Sequence, residues 1–278
     1  DLSWLVQGIE NSPYRRKKVK IETVKPHQLC YVVYLSIFSF FILTNWTTAG
    51  VREKLGLVAH WTFDKGTLDA KMVQDNLGKN NGLIVGKPKI QKGVHSDALN
   101  FNGTVDFVKI TEDIFFPSIS IEAVINPILG TRNPIYDKYN YGIQLLDNNQ
   151  VGVWIRADTN QQNKHWPSAY TPFPDDGKWH HVVGVVTNKK HVQIFLDGDL
   201  KKTTPAPHPI SIAYGANDKP TIAYTRHLNG IWYAGSIDEV AVYETALDET
   251  NVKTLYTTVL AVEKAMKLSV VWGKIKVW

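Results

Sequence analysis

The chain has 278 residues, 44% of them hydrophobic and 11% aromatic, with a formal net charge of +5. That is long enough for one large domain or two small ones with a sizeable core. The single cysteine, Cys30, excludes an intrachain disulfide, and the excess charge gathers in the run Arg15-Arg16-Lys17-Lys18-Val19-Lys20, leaving a nearly balanced remainder that gives no argument for nucleic acid.

Leu29–Leu43, LCYVVYLSIFSFFIL, is uncharged and apolar; basic residues precede it and Thr47-Thr48-Ala49 follows. A basic region, an apolar core and a small-residue exit make a secretory signal. The core falls short of the roughly 20 residues that cross a bilayer, but continued through Trp46 it approaches a span. The segment therefore reads as a cleaved signal peptide or as an uncleaved anchor helix. The protein is expected to be secreted or held at the cell envelope, or else membrane-anchored by a single pass. If the segment is uncleaved, membrane contact is expected through residues 29–46 only.

Strand patterns fill the region that follows. Gly56–Phe63 alternates and ends at the turn Asp64-Lys65-Gly66. Asp75–Gly82 is polar and turn-rich, and Leu83–Val85 is a short strand stopped by Gly86 and Pro88. Ala98–Phe101, Asn102-Gly103 and Asp106–Ile110 read as a hairpin. Ile119, Ile121, Ala123 and Ile125 share one strand face, and Pro127 ends that strand. Pro134–Lys138, Tyr141–Leu146 and Val151–Ala157 are three more strands, and Asp158–Gly177 reads as a long polar loop. Trp179–Thr204 predicts strand, turn, strand, turn, strand at the centre of an antiparallel sheet. Both faces of its first strand are apolar, and Asp197-Gly198 is a strong hairpin turn. Pro205–Lys219 is a Pro-rich loop, Thr221–Tyr224 and Ile237–Tyr243 are the last strands, and Asp248–Tyr256 is a helix capped by Asp248.

Many short strands at near-regular spacing with one short helix predict an all-β, two-sheet antiparallel jelly-roll sandwich behind an N-terminal signal or anchor helix. The domains are 1–49, the extension; 50–257, the jelly roll; and 258–278, a tail. Six blocks in order resemble the laminin-G-like jelly-roll family of the concanavalin A-like lectin/glucanase superfamily. They are GLVAHWTFD at 56–64, ALNFNGTVDFVKI at 98–110, ISIEAVINP at 119–127, GKWHHVVGVV at 177–186, IFLDGDL at 194–200 and GSIDEVAVYETAL at 235–247. The family often places Trp where Val124 stands, so that contact must be filled otherwise.

The candidate sites follow from residue types and strand geometry. His180 and His181 face opposite ways on a strand and cannot chelate one ion. A retaining glycosidase needs two carboxyls about 5 Å apart on one face. Asp238 and Glu239 are adjacent and so expected to face apart, and Glu122 stands alone on its strand, so no catalytic residues are assigned. The resemblance pairs the first strand with the last, which brings Asp64 and Asp238 together, and implies a structural Ca²⁺ at these two carboxylates, with carbonyls of the Asp64–Gly66 turn nearby. Along Val151–Ile155 the odd positions point to the core, so Trp154 and Arg156 share the other face, with Tyr139, Tyr141 and Trp166 on flanking segments. Stacking rings with Arg beside them suit a sugar, and these five are the candidate ligand-binding residues. Gln161, Gln162 and Asn163 add amides for hydroxyls.

The expected function is a non-catalytic extracellular module that binds a carbohydrate or an extracellular protein ligand. The alternatives are a structural or adhesive module without a sugar site, and a glycoside hydrolase-related domain.

Overall fold

The computed structural model describes residues 50–69, 71–158, 164–212, 218–227 and 230–258. The chain divides into two units, Asp1–Asn45 and Trp46–Trp278, and every described residue lies in the second. The signal or anchor segment and the last twenty residues of the tail lie outside the described residues, as do Gln161, Gln162 and Asn163. Among the described residues no helix is long and apolar enough to cross a membrane.

In chain order the strands are β1 (Leu57–Trp61), β2 (Met72–Val73), β3 (Gly82–Val85), β4 (Lys89–Lys92), β5 (Asp97–Asn102), β6 (Phe107–Ile110) and β7 (Ile119–Pro127). Next come β8 (Asn133–Asp137), β9 (Tyr141–Leu145), β10 (Gln150–Ile155), β11 (Ala157–Asp158), β12 (Lys164–His165) and β13 (Ser168–Pro172). The chain continues through β14 (His180–Thr187), β15 (His191–Leu196), β16 (Asp199–Pro205), β17 (Thr221–Ile222), β18 (Tyr224–Thr225), β19 (Ile231–Trp232) and β20 (Ala234–Tyr243). Helix α1 covers 50–54 and α2 covers 249–258. Asp248 caps α2 by accepting the Asn251 N–H at 2.7 Å, as its position before the helix predicts.

Two antiparallel sheets pack face to face. The first has the order β16-β15-β14-β7-β20-β5-β4, with β1 also on β20; the second has the order β13-β10-β9-β8-β17-β6-β3-β2. Val182 and Val186 of β14 enter the core between the sheets, while Val183 and Val185 enter a smaller cluster with Leu247, Val252 and Leu255 outside the first sheet. This strand is therefore buried on both faces, as its continuous apolar run requires. The Asp197-Gly198 turn has φ of 53° and 81°, the paired positive values of a tight hairpin turn.

Two expectations change and a third is met. Ala98–Phe101 and Asp106–Ile110 do not form a hairpin: β5 pairs with β4 and β20 in the first sheet, and β6 with β3 and β17 in the second. Asn102-Gly103 instead turns the chain from one sheet to the other. The loop 158–177 contains an edge strand, β13, which pairs only with β10. An edge tolerates Pro167 just before the strand and Pro172 as its last residue, which hid the strand in the sequence. Trp179 packs on Val124 and Val94 and so fills the contact that Val124 leaves short.

Candidate functional site

The outer face of the second sheet carries a cleft of about 440 Å³. It is built from the outward positions of neighbouring strands. Val151, Val153 and Ile155 of β10 are core residues, so Trp154 points out. Asp137 of β8 lies opposite Gly142 of β9, which lies opposite Trp154, which lies opposite Ser168 of β13. Along the next row Gln144 pairs with Gly152, and Gly152 with Tyr170. Both glycines face a ring. A Cβ on Gly142 would stand 3.1 Å from Trp154 Nε1, and one on Gly152 would stand 2.4 Å from Tyr170 Cδ1. The missing side chains let the indole and phenol lie down on the sheet.

Trp166 and His227 complete the aromatic wall. The Trp154 and Trp166 ring centres are 5.7 Å apart, and His227 meets Trp154 edge-on at 5.5 Å. Tyr139 stacks on the far side of His227 at 4.4 Å. The guanidinium of Arg156 lies 5.3 Å from the Trp166 ring centre. Trp166 is 45% exposed, whereas Trp154 is 7% exposed and Arg156 4%. Burial and the neighbouring Arg226 and Arg156 charges pull the His227 imidazole below its usual range, so it is neutral at pH 7.

Asp137 lies among these rings with 6% exposure. Its carboxylate accepts the Tyr139 N–H at 2.9 Å and a Thr225 hydroxyl bond, but burial outweighs both and pushes its pKa up to about 7. Arg132 and Tyr170 sit at another part of the same lining, and Gln144 Nε2 donates to the Tyr170 hydroxyl at 2.7 Å.

The structure thus brings Trp154, Trp166, Arg156 and Tyr139 into one neighbourhood and removes Tyr141 from it. Tyr141 is fully buried, stacks on Tyr136 in the core, and donates its hydroxyl to the Ile114 carbonyl at 2.5 Å. Strand alternation decides this: Tyr141 has the parity of Ile143 and Leu145, both core residues. Asp137, Gln144, Thr225 and His227 were missed. Gln144 was legible as an outward position once the parity of β9 was set. Asp137 was not, because it shares the parity of the core residue Ile135 and the ladder shifts between Pro134 and Tyr136, while Thr225 and His227 arrive from a distant hairpin.

Asp64 and Asp238 occupy the edge where β1 meets β20, with Trp61 opposite Val240. Asp238 Oδ2 accepts the Val94 and His95 N–H groups at 2.8 and 3.0 Å, while its buried Oδ1 has no partner. Gly93 makes this approach possible, since a Cβ there would stand 2.4 Å from Oδ2. Burial, the Glu239 charge and the Asp64 charge all raise the Asp238 carboxyl well above its usual range. Asp64 Oδ1 accepts the Asp97 N–H at 3.2 Å, and the Asp64 carbonyl is already engaged by the amide and hydroxyl of Thr67. Two neighbouring carboxylates, one with an orphaned buried oxygen, fit a hard cation such as Ca²⁺ as side-chain ligands. No group of three or more metal-binding side chains occurs among the described residues.

A second polar cluster lies buried on the outer face of the first sheet. Glu122 and Glu239 each bind Arg52 of α1 at 2.9 Å. Glu122 also meets His181 at 3.0 Å and accepts the Tyr243 hydroxyl at 2.5 Å. Burial works against the Glu122 charge, but Arg52, His181 and Tyr243 outweigh it and hold its pKa at about 2. Glu239 is held low in the same way by His60 and Arg52. Asp238 and Glu239 do not face apart. The ladder shifts between Asp238 and Ala241, Glu239 has φ of 51°, and both carboxyls reach His95. Glu122 is alone on its strand as expected, and its partners come from other elements. His180 and His181 do face opposite ways: His180 donates to Asp197 and Asp176 at 2.7 and 3.0 Å, away from His181.

A family model described as the concanavalin A-like lectin/glucanases superfamily matches residues 102–253, more than half of the chain. The chain belongs to this superfamily, in its laminin-G-like branch. No curated protein matches the sequence. Among solved structures, the jelly roll is similar to domain 4 of AbnA, a GH43 extracellular arabinanase from Geobacillus stearothermophilus, in complex with arabinotriose. Identity is 21% and the TM-score 0.58, over 72% of this chain and 98% of that one. It is also similar to the binding domain of botulinum neurotoxin DC in complex with rat synaptotagmin II, at 15% identity and TM-score 0.56, over 73% and 52%. The same toxin domain in complex with SialylT matches at 14% and 0.55, over 73% and 52%. The chain spans about half the length of these toxin domains. These likenesses carry the fold of the laminin-G-like jelly roll; the site has to be argued from its own residues.

Proposed function

We propose that the domain is a non-catalytic, extracellular glycan-binding module whose ligand lies in the cleft on the second sheet. The observation that carries this is the pairing of Trp154, Trp166 and Tyr170 with Asp137, Gln144 and Thr225 in one concave site. Aromatic faces receive the apolar faces of sugar rings, and the polar groups answer hydroxyls. The arabinanase domain solved with arabinotriose and the toxin domain solved with SialylT are in keeping with a sugar, and the toxin domain solved with synaptotagmin II is in keeping with a protein, so the preference for a sugar rests on the cleft's own residues. Catalysis is not favoured, because Glu122 and Glu239, the two carboxylates gathered on Arg52, are buried and committed to it. Asp64 and Asp238 would hold a structural Ca²⁺ that clips β1 to β20 and contributes no chemistry. Titration calorimetry of the folded chain with oligosaccharides, with Trp166→Ala as control, tests the reading. Binding that Trp166→Ala abolishes without loss of fold supports it. Binding of a protein but of no sugar removes the glycan.

A further inference from the structure

We infer that the cleft selects a carboxylated sugar, with Arg132 and the Tyr170 hydroxyl as the residues that receive its carboxylate. This deepens the glycan reading and rests on it.

Two donors converge at one part of the cleft. Arg132 is half-buried in the lining, and no ion pair engages it among the described residues. It lies close enough to Tyr170 for its charge to act on the phenol. The Tyr170 oxygen accepts its bond from Gln144 Nε2, which leaves the phenol proton to donate elsewhere. A guanidinium with a hydroxyl donor beside it matches the two oxygens of a carboxylate, and a charge-assisted pair in a partly desolvated cleft is stronger than a neutral one. A neutral sugar would leave the guanidinium less well answered. The other cations nearby are already occupied: Arg156 lies over Trp166, and Arg226 lies over Tyr139 and pairs with Asp218.

Asp137 is the acidic group in the lining, and it sets the pH dependence. The groups around it are Tyr136 and Lys138 on its own strand segment, Arg132 before it, Tyr139 and Arg156, Tyr170 across the sheet, and Arg226 and His227 of the β18–β19 connection. Lys138 is paired with Asp113 at 2.7 Å. Below about pH 7 Asp137 is mostly protonated and leaves the cleft cationic. As pH rises through about 7 it ionises, and an anionic ligand meets a buried like charge. Affinity for a carboxylated sugar therefore falls with rising pH, while affinity for a neutral sugar does not fall for that reason.

The test uses matched oligosaccharides of one linkage, in the hexuronic acid form and in the hexose form, titrated against the wild-type chain, Arg132→Gln and Asp137→Asn. The uronic form should bind the wild type on the order of tenfold more tightly. Arg132→Gln should bring the ratio of uronic to hexose affinity to about one while keeping the melting temperature. From pH 6 to pH 8.5 the uronic form should weaken on the order of tenfold with the wild type and stay level with Asp137→Asn. If the hexose form binds as well as the uronic form, or Arg132→Gln keeps the preference, the acidic specificity is wrong and the glycan reading stands. If neither form binds, and no other neutral or acidic glycan does, both are wrong.

Discussion

The outer faces of the two sheets use similar residues to opposite effect. On the first sheet Glu122 is fully buried, yet its pKa is held at about 2, because Arg52, His181 and Tyr243 all favour its charge. On the second sheet Asp137 is nearly as buried, but a backbone N–H and a Thr hydroxyl are too weak to offset desolvation, and its pKa rises to about 7. Burial acts in the same direction at both sites, so the partners decide the outcome. The first face is closed by α1 and α2, and its Glu122 and Glu239 carboxylates are answered from within by Arg52, His181, Tyr243 and His60. The second is open, and its polar groups still have capacity for an external partner. That contrast is why the cleft, and not the richer ionic cluster, is the functional candidate.

The sharpest way to break the comparison is to remove the cation of the closed face. Arg52→Ala leaves two buried carboxylates facing one another and should destabilise the fold by about 3–5 kcal/mol in denaturant titration. Sugar binding by the fraction still folded should be unchanged. A loss below about 1 kcal/mol would mean that water reaches Glu122 and Glu239 and that the closed face is not closed.

Next in size is the Ca²⁺ proposed for the edge joining β1 and β20. If Asp64 and Asp238 hold Ca²⁺, a hundredfold excess over Kd contributes about 2.7 kcal/mol, and chelation should lower Tm by several degrees. Asp238→Asn should abolish most of that response. An identical Tm in millimolar calcium and in EDTA would leave Asp238 as an acceptor of the Val94 and His95 amides only.

Asp137 offers a pH-resolved effect, smaller than these within any one pH unit. Its folded-state pKa lies above the ordinary value of 3.8, so the folded chain holds the proton that the unfolded chain releases. The resulting stabilisation is full below about pH 4 and lost as pH rises through about 7. Relative to wild type, Asp137→Asn should gain stability with a slope of up to about 1.4 kcal/mol per pH unit across that window. Glu122 runs the other way: its contribution is present above its ordinary value of 4.5 and lost as pH falls towards 2. A flat difference for Asp137→Asn would show that the carboxyl is hydrated, and the contrast between the faces would narrow.

The smallest stability effect should come from the open face. Trp166 is 45% exposed, so Trp166→Ala should change stability by no more than about 0.5 kcal/mol while removing sugar affinity in calorimetry. Together with Arg52→Ala it separates a face that holds the fold from a face that meets a ligand.

Local pattern alone determined much of this protein. Alternation in Ile119–Ile125 and Val151–Ile155 assigned the core positions, and the apolar run of His180–Thr187 announced a strand buried on both faces. The positive φ that Asp197-Gly198 accepts placed a turn, and Asp248 placed a helix start. Side-chain parity over a few residues is a local property, so it is written in the order of the residues. Parity also held the answer for Tyr141, whose phase with Ile143 and Leu145 puts it inside. What lay beyond the sequence was every contact made across long chain separations. The resemblance correctly paired the first strand with the last, but nothing in the neighbourhood of Glu122 says that Arg52 and Tyr243 converge on it. The irregularity at Glu239, which turns two adjacent carboxyls to one side, breaks the alternation on which sequence reading depends. The cleft needed the same information, because Thr225 and His227 are brought over Asp137 and Trp154 by a hairpin some 70 to 90 residues further along. Strand registry and chain crossings decide such meetings, and they are settled by the packing of the whole core.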